Sequence, residues 1–126
     1  MTGLIKERLE GLGYAFSDDD SSLLEFCLKS VEYGIRNYCN IPKSDELPPA
    51  LSPIIVDRVC GEFLYVKRMS GQLDISAAVK QIVEGDVSVS FSEGPSDGER
   101  LDRLIDRLVH SGEKELVGFR RIRWFK

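Results

Sequence analysis

The run "DDDSSLLE", residues 18–25, sets three carboxylates side by side, and oxygen donors at such density are what calcium loops use. An EF-hand loop also needs glycine at its sixth position and glutamate at its twelfth. Counted from Asp18, those positions hold Leu23 and Lys29, so the pattern fails and the run reads as a helix cap. His110 is the single histidine and stands four residues after Asp106. An imidazole is the usual general base at neutral pH, but no serine or cysteine stands at a spacing that would make it a nucleophile's partner. It reads as a surface residue at a helix C-terminus. Ser111-Gly-Glu-Lys114 fits the bare S-x-x-K spacing without that motif's companions. Cys27, Cys39 and Cys60 lie 12 and 21 positions apart, with no C-x-x-C or C-x-x-H pair, so they read as buried thiols and not zinc ligands. Gly94 and Gly98 enclose a proline and lack the lysine of a phosphate loop. Asp102 and Asp106 share a helix with Arg103 and Arg107 and read as a charge network. The sequence therefore predicts no catalytic residue, no cofactor site and no metal site: the protein is expected not to be an enzyme.

Two stretches stand above this background. The C-terminal "FRRIRWFK" places Phe119, Arg120, Arg121, Arg123, Trp124 and Phe125 together. Arginine beside aromatics suits phosphate and base stacking, and equally the hot spots of protein interfaces. The charge balance favours a protein partner. Residues 113–126 hold five Lys/Arg against two Asp/Glu, a local net of +3 on a chain whose total is −4. The second stretch is "VSVSFSE", in which Val87, Val89 and Phe91 alternate with serines. That period of two predicts a half-buried strand. Gly85-Asp86 is an acceptable hairpin turn and "AVKQIV" its candidate partner strand. A two-stranded ribbon alone is marginal in water, so such a strand is best completed by another chain.

The elements that must carry these stretches are helical. Leu4, Ile5, Leu9 and Leu12 predict a short helix or arm within residues 1–20, ended by Gly13. Leu24, Cys27, Leu28, Val31, Ile35 and Tyr38 recur at helical spacing and predict a helix over 21–38, with Asn40 and Pro42 closing it. A third helix is expected over 49–69, with Pro49 and Pro53 in or near its first turns. Ile55, Val56, Val59, Cys60, Phe63 and Val66 give it a wide apolar face. Ile54 and Leu64 widen that face, which predicts neighbours on more than one side and a surplus fit for a subunit interface. Gly61 costs about 1 kcal/mol against alanine in mid-helix, and a close helix crossing there would explain it. Ser96-Asp97-Gly98-Glu99 fits a capping box before a fourth helix bearing Leu101, Leu104, Ile105 and Leu108.

The expected fold is thus mainly α, a small four-helix bundle with a short β-hairpin or extended arm at 82–98 and an extended, basic, aromatic tail at 113–126. Its 126 residues make one domain with one modest core. No apolar run approaches the ~20 residues that span a bilayer. The N-terminus has no basic segment followed by an apolar one, which predicts retention in the cytoplasm of the cell that makes the protein.

"IRNYCNIP" closing one helix, "LPPALSPIIVDRVCGEFLY" opening the next, "EGDVSVSF" after it and the closing "GFRRIRW" together resemble the head–tail connector proteins of tailed bacteriophages and prophages. The resemblance covers residues 21–126. It implies a structural adaptor: a ring, commonly of about twelve subunits with head-to-tail contacts, seated beneath the portal protein. Such a ring extends the DNA channel and docks a stopper or tail-terminator protein. Double-stranded DNA would pass through its lumen without sequence readout, and no membrane is involved. The implied location is the virion's head–tail interface, after assembly from the host cytoplasm. Val87, Val89, Phe91 and the residues of the aromatic tail named above would then form the portal or inter-subunit interface. The alternative reading is a small nucleic-acid-binding regulator that grips phosphate with the tail.

Overall fold

In the computed structural model, residues 2–71 and 97–120 are described. They form α1 (Thr2–Gly11), α2 (Ser21–Cys39), α3 (Ser52–Met69), α4 (Asp97–Val109) and the short α5 (Glu113–Val117). One 3-10 turn, Asp18–Asp20, leads into α2 and another, Pro49–Leu51, into α3. The mainly helical expectation holds, and no strand occurs among the described residues. Most of the predicted arm, with Val87, Val89 and Phe91, lies outside them. Its last two positions do not belong to an arm, because Asp97 and Gly98 open α4.

α3 is the axis of the bundle, and α1, α2 and α4 all pack on it. Each runs antiparallel to it. Asp20, just before α2, meets Lys67 near the end of α3. Arg68 pairs with Asp102 in the first half of α4, while Gly61 lies against Val109 at α4's last residue. The Cys60 thiol faces the Ile5 carbonyl and Arg8 reaches Asp57. Ile54, Ile55, Val56, Val59, Cys60, Phe63 and Leu64 of α3 are all buried. Most of the apolar breadth of this helix is thus buried inside the subunit, and Tyr65, Val66 and Met69 are the apolar side chains it leaves exposed.

The helix boundaries have local causes. Asn40 ends α2 in the left-handed conformation (φ 60°), which asparagine tolerates best after glycine. Arg36 then donates to the carbonyls of Pro42 and Asp45, both at 2.8 Å, and pins the turn towards α3. α3 begins three residues later than its prolines suggest. Pro53 has no N–H to offer the Pro49 carbonyl, so Ser52 bonds that carbonyl instead and the first turn winds as 3-10. At Gly61 a Cβ would stand 2.7 Å from the Val109 backbone nitrogen and 2.9 Å from Leu108 Cβ. The close crossing expected from that glycine is therefore present, between α3 and α4.

The C-terminal segment departs from the extended tail predicted over 113–126. Residues 113–117 form α5, which buries Leu116 and packs on α2. Gly112, at φ 74°, makes the turn from α4 to α5. A lone buried leucine in five residues is too little for helical periodicity to register in sequence.

Candidate functional site

Among the described residues, several with conceivable chemistry join one element to another. Asp18 and Asp19 are exposed, whereas Asp20 turns inward and keeps only 3% of its surface. Lys67 Nζ stands 2.6 Å from one of its oxygens. The other accepts from the Tyr14 hydroxyl at 2.8 Å and from the Ser17 backbone at 3.2 Å. Burial pushes the Asp20 carboxyl up, but hydrogen bonds from Lys67, Tyr14 and Ser17, with the Lys67 charge, outweigh it and hold the group below the usual carboxylate range. Burial, then the bond to Asp20, pushes the Tyr14 phenol well above its ordinary value. Phe63 lies under the same cluster, edge-on to Tyr14 at 5.3 Å between ring centroids. Of the acidic run, Asp20 is thus a buried plug, while Asp18 and Asp19 face solvent and no side chain caps the start of α2.

His110 is exposed just past the end of α4, with Nδ1 3.0 Å from the Asp106 carbonyl and 3.3 Å from its carboxylate. Ser111 donates to Asp57 at 3.4 Å, and its carbonyl accepts from Arg58 at 2.7 Å. That serine fastens the α4–α5 turn to α3. The three thiols are buried. Burial, then nearby Glu62, pushes Cys27 up to about 11; burial, then Asp57, raises Cys60 to about 12 against a smaller opposing effect of Arg8. Both are protonated at neutral pH and poor nucleophiles. Among the described residues no group of three His, Cys, Asp or Glu is placed to hold a metal ion.

The outer surface is more informative. On α2 the buried residues Leu24, Cys27, Ile35 and Cys39 define one face. At 100° per residue, Phe26 and Tyr33 lie about 180° away from it, 68% and 59% exposed. They form an aromatic stripe that looks away from α3. A second surface lies between α3 and α4, a groove of about 390 Å³. Tyr65, Met69, Ile105 and Val109 supply its apolar lining, and Glu62, Asp102, Asp106 and His110 its polar edge. Tyr65 and Met69 are 49% and 68% exposed. The sequence reading passed over all four of these aromatic and sulfur-bearing residues. The available signal was their phase: Phe26 and Tyr33 are seven apart on a helix whose core face is already complete without them.

Of the predicted interface residues, the structure describes Phe119 and Arg120. Phe119 is half-buried against the core. Arg120 lies over the Tyr38 ring, 4.8 Å from its centroid, and donates to the Tyr38 carbonyl at 3.0 Å. These two therefore root the C-terminal segment on the end of α2. Arg121, Arg123, Trp124 and Phe125 lie outside the described residues. No protein-family model, curated protein or solved structure matches the chain. No helix among the described residues is long and apolar enough to cross a membrane.

Proposed function

We propose that the chain is a structural head–tail connector of a tailed bacteriophage or prophage. Its copies form a ring beneath the portal, extend the DNA channel and dock the stopper or tail components. The observation that carries this reading is the presence of two separate outward patches on one small body. One is the α2 stripe of Phe26 and Tyr33, and the other is the α3–α4 groove. A cyclic head-to-tail assembly needs two unlike surfaces per subunit, each meeting the other on a neighbour. Apolar side chains gathered on two separate surfaces of a subunit suit contacts with partners.

The other support is chemical economy. Every described buried side-chain nitrogen and oxygen has a hydrogen-bond partner, and the polar clusters join one element to another. The order of the quoted motifs resembles the connector family, and the helical architecture is of the kind that resemblance implies. Portal or neighbour contacts fall to the arm residues Val87, Val89 and Phe91 and to the aromatic tail. An acidic body around a channel would repel phosphate and leave DNA free to slide.

The test is electron microscopy of the full chain mixed with a portal protein from the same genome. Rings on the portal's tail-side face are the expected result. A chain that stays off the portal but binds short duplex DNA with strong salt dependence would replace this reading with the nucleic-acid one.

A further inference from the structure

We infer that the α3–α4 groove receives the C-terminal segment, residues 121–126, of a second copy of this chain. The inference rests on the connector reading only for its place in a ring.

Charge and shape argue for this occupant. The groove offers an apolar floor of Ile105 and Val109 between the exposed side chains of Tyr65 and Met69. Glu62, Asp102 and Asp106 stand along it, with Asp102 already paired to Arg68 and Asp106 beside His110. An apolar trough with carboxylates at its lip selects a ligand that is both aromatic and cationic. Residues 121–126, "RIRWFK", bring Ile122, Trp124 and Phe125 for the floor and Arg121, Arg123 and Lys126 for the lip. Arginine and tryptophan are the side chains that gain most from such a pocket.

Geometry argues for a second copy over the same one. The segment follows Arg120, which is bonded to Tyr38 at the end of α2. That end lies level with the start of α3: the Cys39 thiol meets the Leu116 carbonyl, and Gly112 sits against Ile54. The groove begins at Glu62 and extends to Met69. Along α3 those residues are about 12 to 22 Å beyond Ile54 at 1.5 Å per residue, and they face α4, not α2. Six residues span at most about 20 Å when fully extended. A segment crossing the width of a helix pair, about 8–10 Å, as well as this length would arrive with nothing left to fill the groove. A neighbour's segment meets no such limit, and a contact of tail to groove is head-to-tail by construction.

Trp124 is the chain's single tryptophan, so its emission reports where the segment lies. With the full chain, emission should move to the blue as concentration rises, with the same midpoint as association followed by sedimentation. Asp106→Lys, on an exposed position, should raise that midpoint about tenfold or more, because like charges then face each other. Asp106→Asn, the milder change, should raise it less. The deciding experiment mixes two chains that are each monomeric alone. Asp106→Lys keeps a working tail, and Trp124→Ala keeps a working groove. Their mixture should give a blue shift and stop at a heterodimer, since the complex has no second working pair.

A blue-shifted emission in dilute chain that ignores concentration would place the segment in its own groove and overturn the inference. So would self-association indifferent to Asp106→Lys, a mixture without signal because residues 72–96 already fill the groove, or an absence of association at every concentration. Rings that form on the portal despite Asp106→Lys would sink this contact and leave the connector reading standing. Tail-to-groove pairing by a chain that ignores the portal would do the reverse.

Discussion

The two ends of α3 are held by different physics. From its start to its middle, Ile54 lies in the hollow of Gly112 and Gly61 lies against Val109, and these two contacts, set beside the polar ones of Asp57 and Arg58, are fits of shape, since neither glycine has room for a methyl group. Towards its end, Lys67 is seized by Asp20, which Tyr14 and Ser17 also hold. The first kind of contact is indifferent to pH and intolerant of volume. The second tolerates volume and depends on charge. The elements they secure differ too. The apolar end fixes the helices that carry the groove and the root of the C-terminal segment, while the polar end fastens the loop between α1 and α2.

The sharpest break should come at the polar end. Asp20→Ala leaves a largely covered Lys67 and the Tyr14 hydroxyl facing an apolar hole, and should cost about 3 kcal/mol in urea unfolding. The wild-type pH profile should show the same link. The Asp20 carboxyl is held below its unfolded value, so its contribution is complete above about pH 4 and is lost as pH falls through the folded value. Asp20→Asn should flatten that acid limb, and an unchanged limb would show that other carboxylates govern it.

Next in size is the apolar end. Gly61→Ala gains about 1 kcal/mol of helix propensity. Against that, it drives a methyl into the Val109 backbone, which cannot swing aside as a side chain would. Overpacking of this kind costs about 1–3 kcal/mol, so net destabilisation of up to about 2 kcal/mol is expected, equal at pH 4 and pH 7. A loss that varied with pH would mean the two ends are coupled. Tyr14→Phe should cost a similar amount, about 1.5 kcal/mol, the low end for a hydrogen bond to a charged acceptor. It should also remove a decline at high pH. The phenol is raised in the folded state, so its contribution is present below about pH 10 and is lost above it.

The same contrast explains what could be read in the sequence. Gly61 was legible because a glycine in mid-helix is a local anomaly with few physical explanations. The span of α2 was legible from its apolar spacing, and its end from Asn40 and Pro42. The inward turn of Asp20 was not, because its partner Lys67 is 47 positions away and nothing local separates Asp20 from Asp18 and Asp19. Local rules expected a cap for α2 there, but no side chain caps that helix, and Asp20 is instead a core residue that accepts from Ser17 across the preceding 3-10 turn. The groove was invisible for a similar reason. Its residues come from two helices, and each of them alone looks like an ordinary flank of an amphipathic pattern. The packed part of the C-terminal segment was missed because α5 is too short to display a period.

The smallest predicted effect concerns the root of that segment. Arg120 touches Tyr38 through its guanidinium face and through one hydrogen bond, both in contact with water. Such a pair is worth about 0.5–1 kcal/mol, so Arg120→Ala should lower stability barely beyond error. Its effect on assembly should be larger than on folding, because the contact sets the direction in which the next six residues leave the body. Arg120→Lys separates the two roles, since lysine keeps the charge but loses the flat face and the fixed direction of its donors. If the root only adds stability, lysine and alanine variants should associate like wild type. If it aims the segment, both should associate more weakly while unfolding at nearly the wild-type urea concentration.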